Sequence, residues 1–140
     1  MAAFFPGFEH RRVMSNGVGI NLVHGGTGEP VLLIHGYPQT HVLWHKVAPK
    51  IAEKYAVVAP DMRGYGDSDK PASHPEDHTA YCMRTRASDL VEVMETLGHR
   101  RWHVVGHDRG ARVAHRMALD HLDRIVSFVS LDVVASQAAF

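Results

Sequence analysis

The sequence predicts an α/β fold in which helices flank a mostly parallel β-sheet. Segments with strand patterning alternate with segments of helical spacing, an arrangement that brings parallel strands together through crossover helices. One run, Val31–Ile34, is apolar at every position and lies between turn signals, which is typical of a strand buried on both faces. No repeat, low-complexity tract or linker divides the 140 residues, so we expect one domain over 1–140.

The first half of the chain is predicted to contain four strands and one helix. Strands are expected over 9–14, 18–23, 31–34 and 55–59, with a helix over about 41–54. Asn16 and Gly17 join the first two strands, because this pair accepts the positive φ angles of a tight hairpin turn. Residues 61–78 are rich in Gly, Pro, Asp and Ser and are predicted to be mostly loop.

The second half continues the alternation of strand and helix. Helices are expected over 79–97 and about 109–121, and strands over about 102–106 and 125–131. In the first helix apolar residues recur every three to four positions up to Leu97, and Gly98 is a suitable stop. The second helix carries small residues along one side, from Gly110 to Ala118, which let a helix lie close on a sheet.

A glycine-rich segment, Gly106-His107-Asp108-Arg109-Gly110, follows the predicted strand 102–106 and opens the next helix. It has the form glycine-x-nucleophile-x-glycine of a nucleophile elbow, with aspartate where an esterase has serine. The glycines suit a turn too sharp for larger side chains, and the central side chain would lie at a helix N-terminus, whose dipole favours an anion. A tight turn with a capping aspartate is the structural alternative. We call residues 106–110 the elbow.

Two further segments follow predicted strands, and ligands bind at the carboxyl ends of strands in such sheets. In the hydrolase arrangement to which the elbow pattern belongs, the backbone N–H of Tyr37, in the loop His35–Pro38, would join that of Arg109 to form an anion-binding hole. The segment Asp61–Pro71 is interpreted as a turn braced by Arg63 and nearby carboxylates.

In this order, each at a strand end, these segments resemble the α/β-hydrolase fold, and more closely the haloacetate (fluoroacetate) dehalogenases. The resemblance is carried by His35–His41 (HGYPQTH), Arg63–Pro71 (RGYGDSDKP) and Gly106–Arg112 (GHDRGAR). It runs through nearly all of the chain but covers only the first half of a family member. It therefore implies a partial α/β-hydrolase core, truncated after the sixth strand and without the lid or the C-terminal strands.

The resemblance also implies a role for each candidate residue. Asp108 would be the nucleophile that displaces halide from a small 2-haloacid and forms an ester. Arg109 and Arg112 would bind the substrate carboxylate, and Asp132 would orient a catalytic histidine. The residues themselves support the arginine assignment, since side chains three apart share a helix face and a guanidinium binds carboxylate as a fork. Neutralisation of Asp108 or Asp132 by the arginines is the alternative.

Histidines near these segments are further candidates. His35 is a candidate substrate-binding residue and His107 flanks the same site, although both belong to turn motifs in which a structural role is the alternative. His41 and His45 have a spacing that suits a metal, but the glutamate of an HExxH motif and a third ligand are missing. We therefore expect neither a metal nor another cofactor.

No histidine follows Asp132 in the sequence, whereas the family's order places the catalytic histidine after the acid. The chain alone is expected to turn over once at most, because an ester on Asp108 would have no positioned base to activate water. The strand 125–131 would also be a sheet edge, which invites pairing. We expect self-association or association with a polypeptide that supplies the missing half.

Composition restricts the partners and the compartment. Fifteen basic residues balance fifteen acidic ones, so the net charge does not point to nucleic acid or an anionic membrane. No apolar run approaches the ~20 residues of a membrane span, and the N-terminal segment lacks the pattern of a secretory signal. The single cysteine, Cys82, fits a reducing compartment. The prediction is a cytoplasmic protein with a small anionic substrate.

Two alternatives to a dehalogenase stay open at this point. An epoxide hydrolase of the same fold also uses an elbow aspartate, but that family usually has tryptophan at the next position, where this chain has Arg109. A non-catalytic fragment or interaction domain that keeps the core of the fold is the other alternative. The lack of a histidine after Asp132 favours it.

Overall fold

A computed structural model describes residues 4–72 and 80–132. The strands are β1 (Glu9–Ser15), β2 (Val18–Gly25), β3 (Glu29–Ile34), β4 (Tyr55–Pro60), β5 (Trp102–His107) and β6 (Ile125–Leu131). The α-helices are α1 (Ala48–Ile51), α2 (Met83–Thr96) and α3 (Arg109–Asp120), and 3-10 turns cover His41–Trp44 and Leu122–Arg124.

The six strands form a single sheet in the order β1-β2-β4-β3-β5-β6. The β1–β2 hairpin is antiparallel and also joins β4 in antiparallel fashion, whereas β4, β3, β5 and β6 are parallel to one another. The predicted mostly parallel α/β sheet is therefore confirmed. The carboxyl ends of these four strands meet at one edge, where the loops with the candidate residues begin.

Apolar cores lie on both faces of the sheet. Leu32 and Ile34 pack with α2 and α3 on one face, and Val31 and Leu33 pack with Trp44 and its neighbours on the other. Because successive strand residues point to opposite faces, burial on both faces explains the uninterrupted apolar run of β3.

The predicted helix over 41–54 is wrong as a single element. A 3-10 turn at His41–Trp44 is followed by a separate short helix, α1. Pro49 lies in the first turn of α1, where its missing N–H costs nothing, whereas inside a continuous helix its ring would clash with the preceding turn. The helix predicted from 79 begins at Met83, and the residues 73–79 lie outside the described part of the chain.

Strand β6 lies at the edge of the sheet formed by the described residues. Three of its apolar side chains, Val126, Val129 and Leu131, are 43%, 45% and 40% exposed. An exposed apolar edge strand can pair with another chain. The association predicted from the sequence would use this edge.

None of the helices within residues 4–72 and 80–132 combines the length and the apolar character that crossing a lipid bilayer requires.

The loop after β4 is organised by the buried carboxylate of Asp61. It accepts hydrogen bonds from the backbone N–H groups of His41 (2.7 Å) and Asp67 (3.0 Å) and from the side-chain amide of Asn21 (3.0 Å). The His41 ring lies 2.8 Å from the same carboxylate. Burial raises the pKa of Asp61, but these hydrogen bonds outweigh it and lower the pKa to about 2.

A buried ion pair braces the same loop against α2. Arg63 donates from Nε to Asp89 Oδ2 at 2.6 Å and from a terminal nitrogen to Oδ1 at 2.8 Å, and both side chains are buried. Arg63 also donates to the carbonyl of Ala80 at 2.9 Å. The predicted turn braced by Arg63 is thus observed, and the carboxylate comes from a helix rather than from the turn itself.

We expect Asp61→Asn to remove a pH-dependent part of the stability. The pKa of this carboxyl is about 2 in the folded chain and about 3.9 when unfolded, so its contribution is complete above pH 4 to 5 and is lost as pH falls towards 2. The difference corresponds to roughly 2 to 3 kcal/mol. Urea unfolding at pH 6 and pH 2.5 should show a smaller pH-induced loss in Asp61→Asn than in the parent chain.

Asp67→Asn is the control for this experiment, because the Asp67 side chain is exposed. It should keep the pH dependence of the parent chain. An Asp61→Asn variant with the parent's pH dependence would show that this carboxylate does not act as described.

Candidate active site

The elbow forms a sharp turn between β5 and α3, as predicted. Asp108 adopts φ 54° and ψ −118°, a conformation that residues other than glycine rarely take. Its backbone N–H donates to the carbonyl of Leu131 at 3.0 Å, and its own carbonyl accepts from Ala111 at 3.0 Å. Strained backbone of this kind persists only where the surroundings hold it, and it concentrates at functional sites.

Glycine is required in the first turn of α3 because the helix lies directly against the end of β3. A Cβ atom at Gly110 would overlap the backbone carbonyl oxygens of Ile34 and His35. The close approach places the start of α3 beside the loop that follows β3, and so brings Tyr37 to the elbow.

The carboxylate of Asp108 is bound by the two predicted backbone donors. Its Oδ2 accepts from the N–H of Tyr37 at 3.2 Å, and the N–H of Arg109 also hydrogen-bonds to it. Partial burial raises the pKa of the Asp108 carboxyl, but the hydrogen bonds from Arg109 and Tyr37 lower it below its usual range. Asp108 is therefore an anion at neutral pH.

The loop after β3 can approach this carboxylate only because it contains glycine. A Cβ atom at Gly36 would lie 2.6 Å from Cβ of Asp108 and 2.7 Å from the carbonyl oxygen of His107. Any larger residue at position 36 would push the N–H of Tyr37 away from Asp108.

Both predicted arginines line the same cavity as Asp108. This cavity measures about 480 Å³, and its wall also includes Tyr37 and Met83. The Arg109 guanidinium lies 5.0 Å from the centre of the Tyr37 ring, and Arg112 lies one helical turn further along α3. The cavity thus combines a carboxylate with two guanidinium groups, a setting that attracts a small anion.

Asp132 directly follows β6 and contacts a histidine of the elbow. Its carboxylate is 3.1 Å from Nε2 of His107, and the other ring nitrogen of His107 lies 3.1 Å from Oε1 of Gln39. The Asp132 side chain is 82% exposed. Sequence reasoning selected Asp132 and His107 separately, and the structure brings them together.

His35 directly follows β3 and is fully buried. Its Nε2 accepts from the N–H of Met62 at 3.0 Å, and its Nδ1 lies 2.9 Å from the carbonyl of Gly36. Burial lowers the pKa of His35, so the ring is neutral and donates from Nδ1. Both ring nitrogens are used within the protein, which favours a structural role over contact with substrate.

Tyr65 is a site residue that sequence reasoning missed. Its hydroxyl accepts from Arg109 at 3.4 Å, and its ring packs edge-on against His35 and Tyr37 with centroids 4.9 and 6.4 Å apart. An aromatic residue between Gly64 and Gly66, in a loop that follows a strand, was the signal available in the sequence.

No cluster of three or more potential metal ligands occurs among residues 4–72 and 80–132. His41, one of the two histidines with metal-compatible spacing, hydrogen-bonds to Asp61 instead. The Nδ1 of the other, His45, faces the carbonyl of Val42 at 2.9 Å.

The fold and this site define a hydrolase architecture with an acidic residue at the elbow. The family model for the α/β hydrolase fold matches residues 29–139, and the chain belongs to that family. The predicted resemblance is thereby confirmed at the level of the fold family.

Individual relatives have two different activities. A fluoroacetate dehalogenase from Burkholderia sp is 51% identical over 136 residues, which are 97% of this chain and 44% of that protein. A soluble epoxide hydrolase from Corynebacterium sp. (strain C12) is 39% identical over 125 residues, 89% of this chain and 42% of that protein.

A solved structure from Nostoc sp PCC 7120, described as that of an α/β hydrolase, is also similar. It superposes with a TM-score of 0.90 at 54% identity, covering 94% of this chain and 45% of that one. The chain thus spans less than half the length of these relatives. The shared part is the sheet with the elbow.

Proposed function

We propose that this chain carries the nucleophile half of a dehalogenase that acts on small 2-haloacids such as haloacetates. The observation that carries the proposal is the ionised carboxylate of Asp108, held at the elbow in a cavity that it shares with Arg109 and Arg112. The 51% identical fluoroacetate dehalogenase supports the same chemistry.

In the proposed first step, Asp108 displaces halide from the substrate. A carboxylate oxygen forms a bond to the carbon that bears the halogen, the carbon–halogen bond breaks, and the halide leaves with the bonding electrons. The product is an ester between Asp108 and a carboxymethyl group. The neighbouring guanidinium groups of Arg109 and Arg112 orient the substrate carboxylate, which holds the reacting carbon near the nucleophile.

The second step is attack of water on the ester carbonyl of Asp108, which releases a hydroxy acid and restores the carboxylate. The N–H groups of Tyr37 and Arg109 are suited to stabilise the negative charge on the carbonyl oxygen. In the family the base for this step is a histidine that follows the acid, and this sequence has none after Asp132. We therefore propose that this chain by itself stops at the ester.

An ester adduct is the expected result when the chain is incubated with fluoroacetate. Intact-mass measurement should show one carboxymethyl group per chain, and Asp108→Asn should show none, because the amide that replaces the carboxylate is a poor nucleophile. Fluoroacetate is the appropriate probe, since its carbon–fluorine bond resists direct alkylation of the free thiol of Cys82. A folded parent chain that remains unmodified would contradict the proposal.

Epoxide hydrolysis is the second candidate function, and the 39% identical epoxide hydrolase is the observation that favours it. An epoxide has no carboxylate, so Arg109 and Arg112 would have no counter-ion in the substrate. Incubation with a neutral epoxide distinguishes the two candidates. An Asp108 ester with the epoxide but not with haloacids would favour the epoxide hydrolase.

Self-association or association with a complementing polypeptide is proposed as well. The exposed apolar edge of β6, with Val126, Val129 and Leu131, supports it. Gel filtration at micromolar concentration tests self-association. Gel filtration after addition of a polypeptide that corresponds to the second half of a relative tests association with a complementing chain. A monomer that does not change on that addition would contradict both.

A further inference from the structure

Arg86, on α2, is a buried arginine next to the site and has no carboxylate partner among residues 4–72 and 80–132. It is 7% exposed, and no hydrogen bond reaches its Nε within that part of the chain. The equally buried Arg63, by contrast, is paired with Asp89 through two hydrogen bonds. An unpaired buried charge is costly, and an apolar side chain of similar volume would avoid that cost.

The contacts of Arg86 are aromatic. Its guanidinium carbon lies 5.4 Å from the centre of the Tyr65 ring and 5.5 Å from that of Tyr81. Attraction between a cation and an aromatic face strengthens when both are removed from water. Arg86 therefore restricts the orientation of Tyr65.

Tyr65 links Arg86 to the candidate substrate-binding arginine. Its hydroxyl accepts from Arg109 at 3.4 Å, and Arg109 lines the cavity with Asp108. Burial lowers the pKa of the Arg86 guanidinium, and the charge of Arg109 lowers it further, while Tyr65 acts in the opposite direction. Repulsion between the buried Arg86 and the half-buried Arg109 is relieved when an anion binds.

Resting on the function proposed above, we propose that Arg86 is a positioning residue for the substrate carboxylate. It holds Tyr65 against Arg109, and its uncancelled positive charge strengthens the attraction of the cavity for anions. The ligand class that this arrangement selects is a small monocarboxylate, and the effect of Arg86 is on affinity rather than on bond breaking.

Arg86→Met tests this role because methionine fills similar space without charge. We expect the fluoroacetate concentration that gives half the maximal rate of ester formation to rise about three- to tenfold. The maximal rate itself should change less. Arg86→Lys should restore most of the affinity, since it keeps the charge. If Arg86 only filled space, Arg86→Met would keep the affinity of the parent chain, and Arg86→Lys would have nothing to restore.

Tyr65→Phe tests whether Arg86 acts through the contact between Tyr65 and Arg109. It also provides a second test if Arg86→Met does not fold. It removes only the hydroxyl that Arg109 contacts, and the half-maximal concentration should rise in this variant as well. If Arg86 acts through Tyr65, the double variant should show less than the product of the two single effects. If Arg86→Met reaches half its maximal rate of ester formation at the same fluoroacetate concentration as the parent chain, the role of Arg86 is overturned. If Arg86→Met does not fold, the same result in Tyr65→Phe overturns it.

Binding of an unreactive carboxylate tests the role of Arg86 separately from the proposed dehalogenation. Calorimetric titration with acetate, which carries the carboxylate but no halogen, reports on the anion site whether or not an ester forms. If the parent chain forms no ester, the proposed dehalogenation fails, and weaker acetate binding by Arg86→Met than by the parent would still support the role of Arg86. Equal acetate affinities would overturn it.

Discussion

Asp89→Asn should lower the free energy of unfolding by about 3 to 5 kcal/mol, because it leaves a buried cation without its counter-ion. Arg63 is 6% exposed and donates to both oxygens of Asp89, at 2.6 and 2.8 Å. Asparagine keeps the shape but has one acceptor oxygen and no charge. Urea unfolding at neutral pH, monitored by the fluorescence of the two tryptophans, measures the loss.

Two variants make this prediction specific. Arg84→Met breaks an exposed pair with Asp120, in which the arginine side chain is 69% exposed, and should cost no more than about 1 kcal/mol. The double variant Arg63→Met, Asp89→Leu removes both buried charges and should recover much of the loss. A cost for Asp89→Asn as small as that for Arg84→Met would show that the buried pair is not what braces the loop after β4.

The second large effect is expected on the reaction. Arg109→Met and Arg112→Met should each lower the second-order rate constant of ester formation with fluoroacetate by roughly a hundredfold, the size of about 3 kcal/mol lost from a charged hydrogen-bonded contact. Both guanidinium groups line the cavity with Asp108, so the loss of either one weakens binding of the substrate carboxylate. Rapid quenching followed by intact-mass measurement gives the rate constants.

Arg116→Met is the matched control for these variants, because Arg116 is on the same helix but pairs with Asp120 at 2.7 Å. It should react at the rate of the parent chain. Fluoroacetamide, a neutral analogue, should react with the parent and with both site variants at similar low rates. Equal reactivity of Arg109→Met and the parent towards fluoroacetate would contradict the proposed carboxylate binding.

The parts of the fold that the sequence predicts well are those set by local patterns. Strand β6 has the predicted bounds Ile125–Leu131, and the turn at Asp108 follows from two glycines at fixed spacing. The helix predicted over 41–54 is interrupted at Pro49, which lies in the first turn of the separate helix α1. Pro49 is visible in the sequence, and the clash of its ring with a preceding helical turn is sufficient to predict the interruption.

Contacts between distant segments could not be predicted from these patterns. The Arg63–Asp89 pair joins positions 26 residues apart, and many other arginines and carboxylates were equally available as partners. Arg86 lies four residues before Leu90, on the buried side of α2, and sequence reasoning did not select it. The aromatic faces that receive its charge come from other segments and needed the three-dimensional structure to be recognised.

The most direct test of Asp108 as the nucleophile is to locate the ester by peptide mapping after incubation with fluoroacetate. Trypsin cleaves after Arg101 and Arg109 and releases residues 102–109, in which Asp108 is the only carboxylate side chain and no cysteine occurs. We expect the added carboxymethyl group on Asp108, and its loss on treatment with hydroxylamine, which cleaves esters but not alkylated histidine. An unmodified 102–109 peptide from a folded sample, or a hydroxylamine-resistant group on His103 or His107, would contradict this role of Asp108.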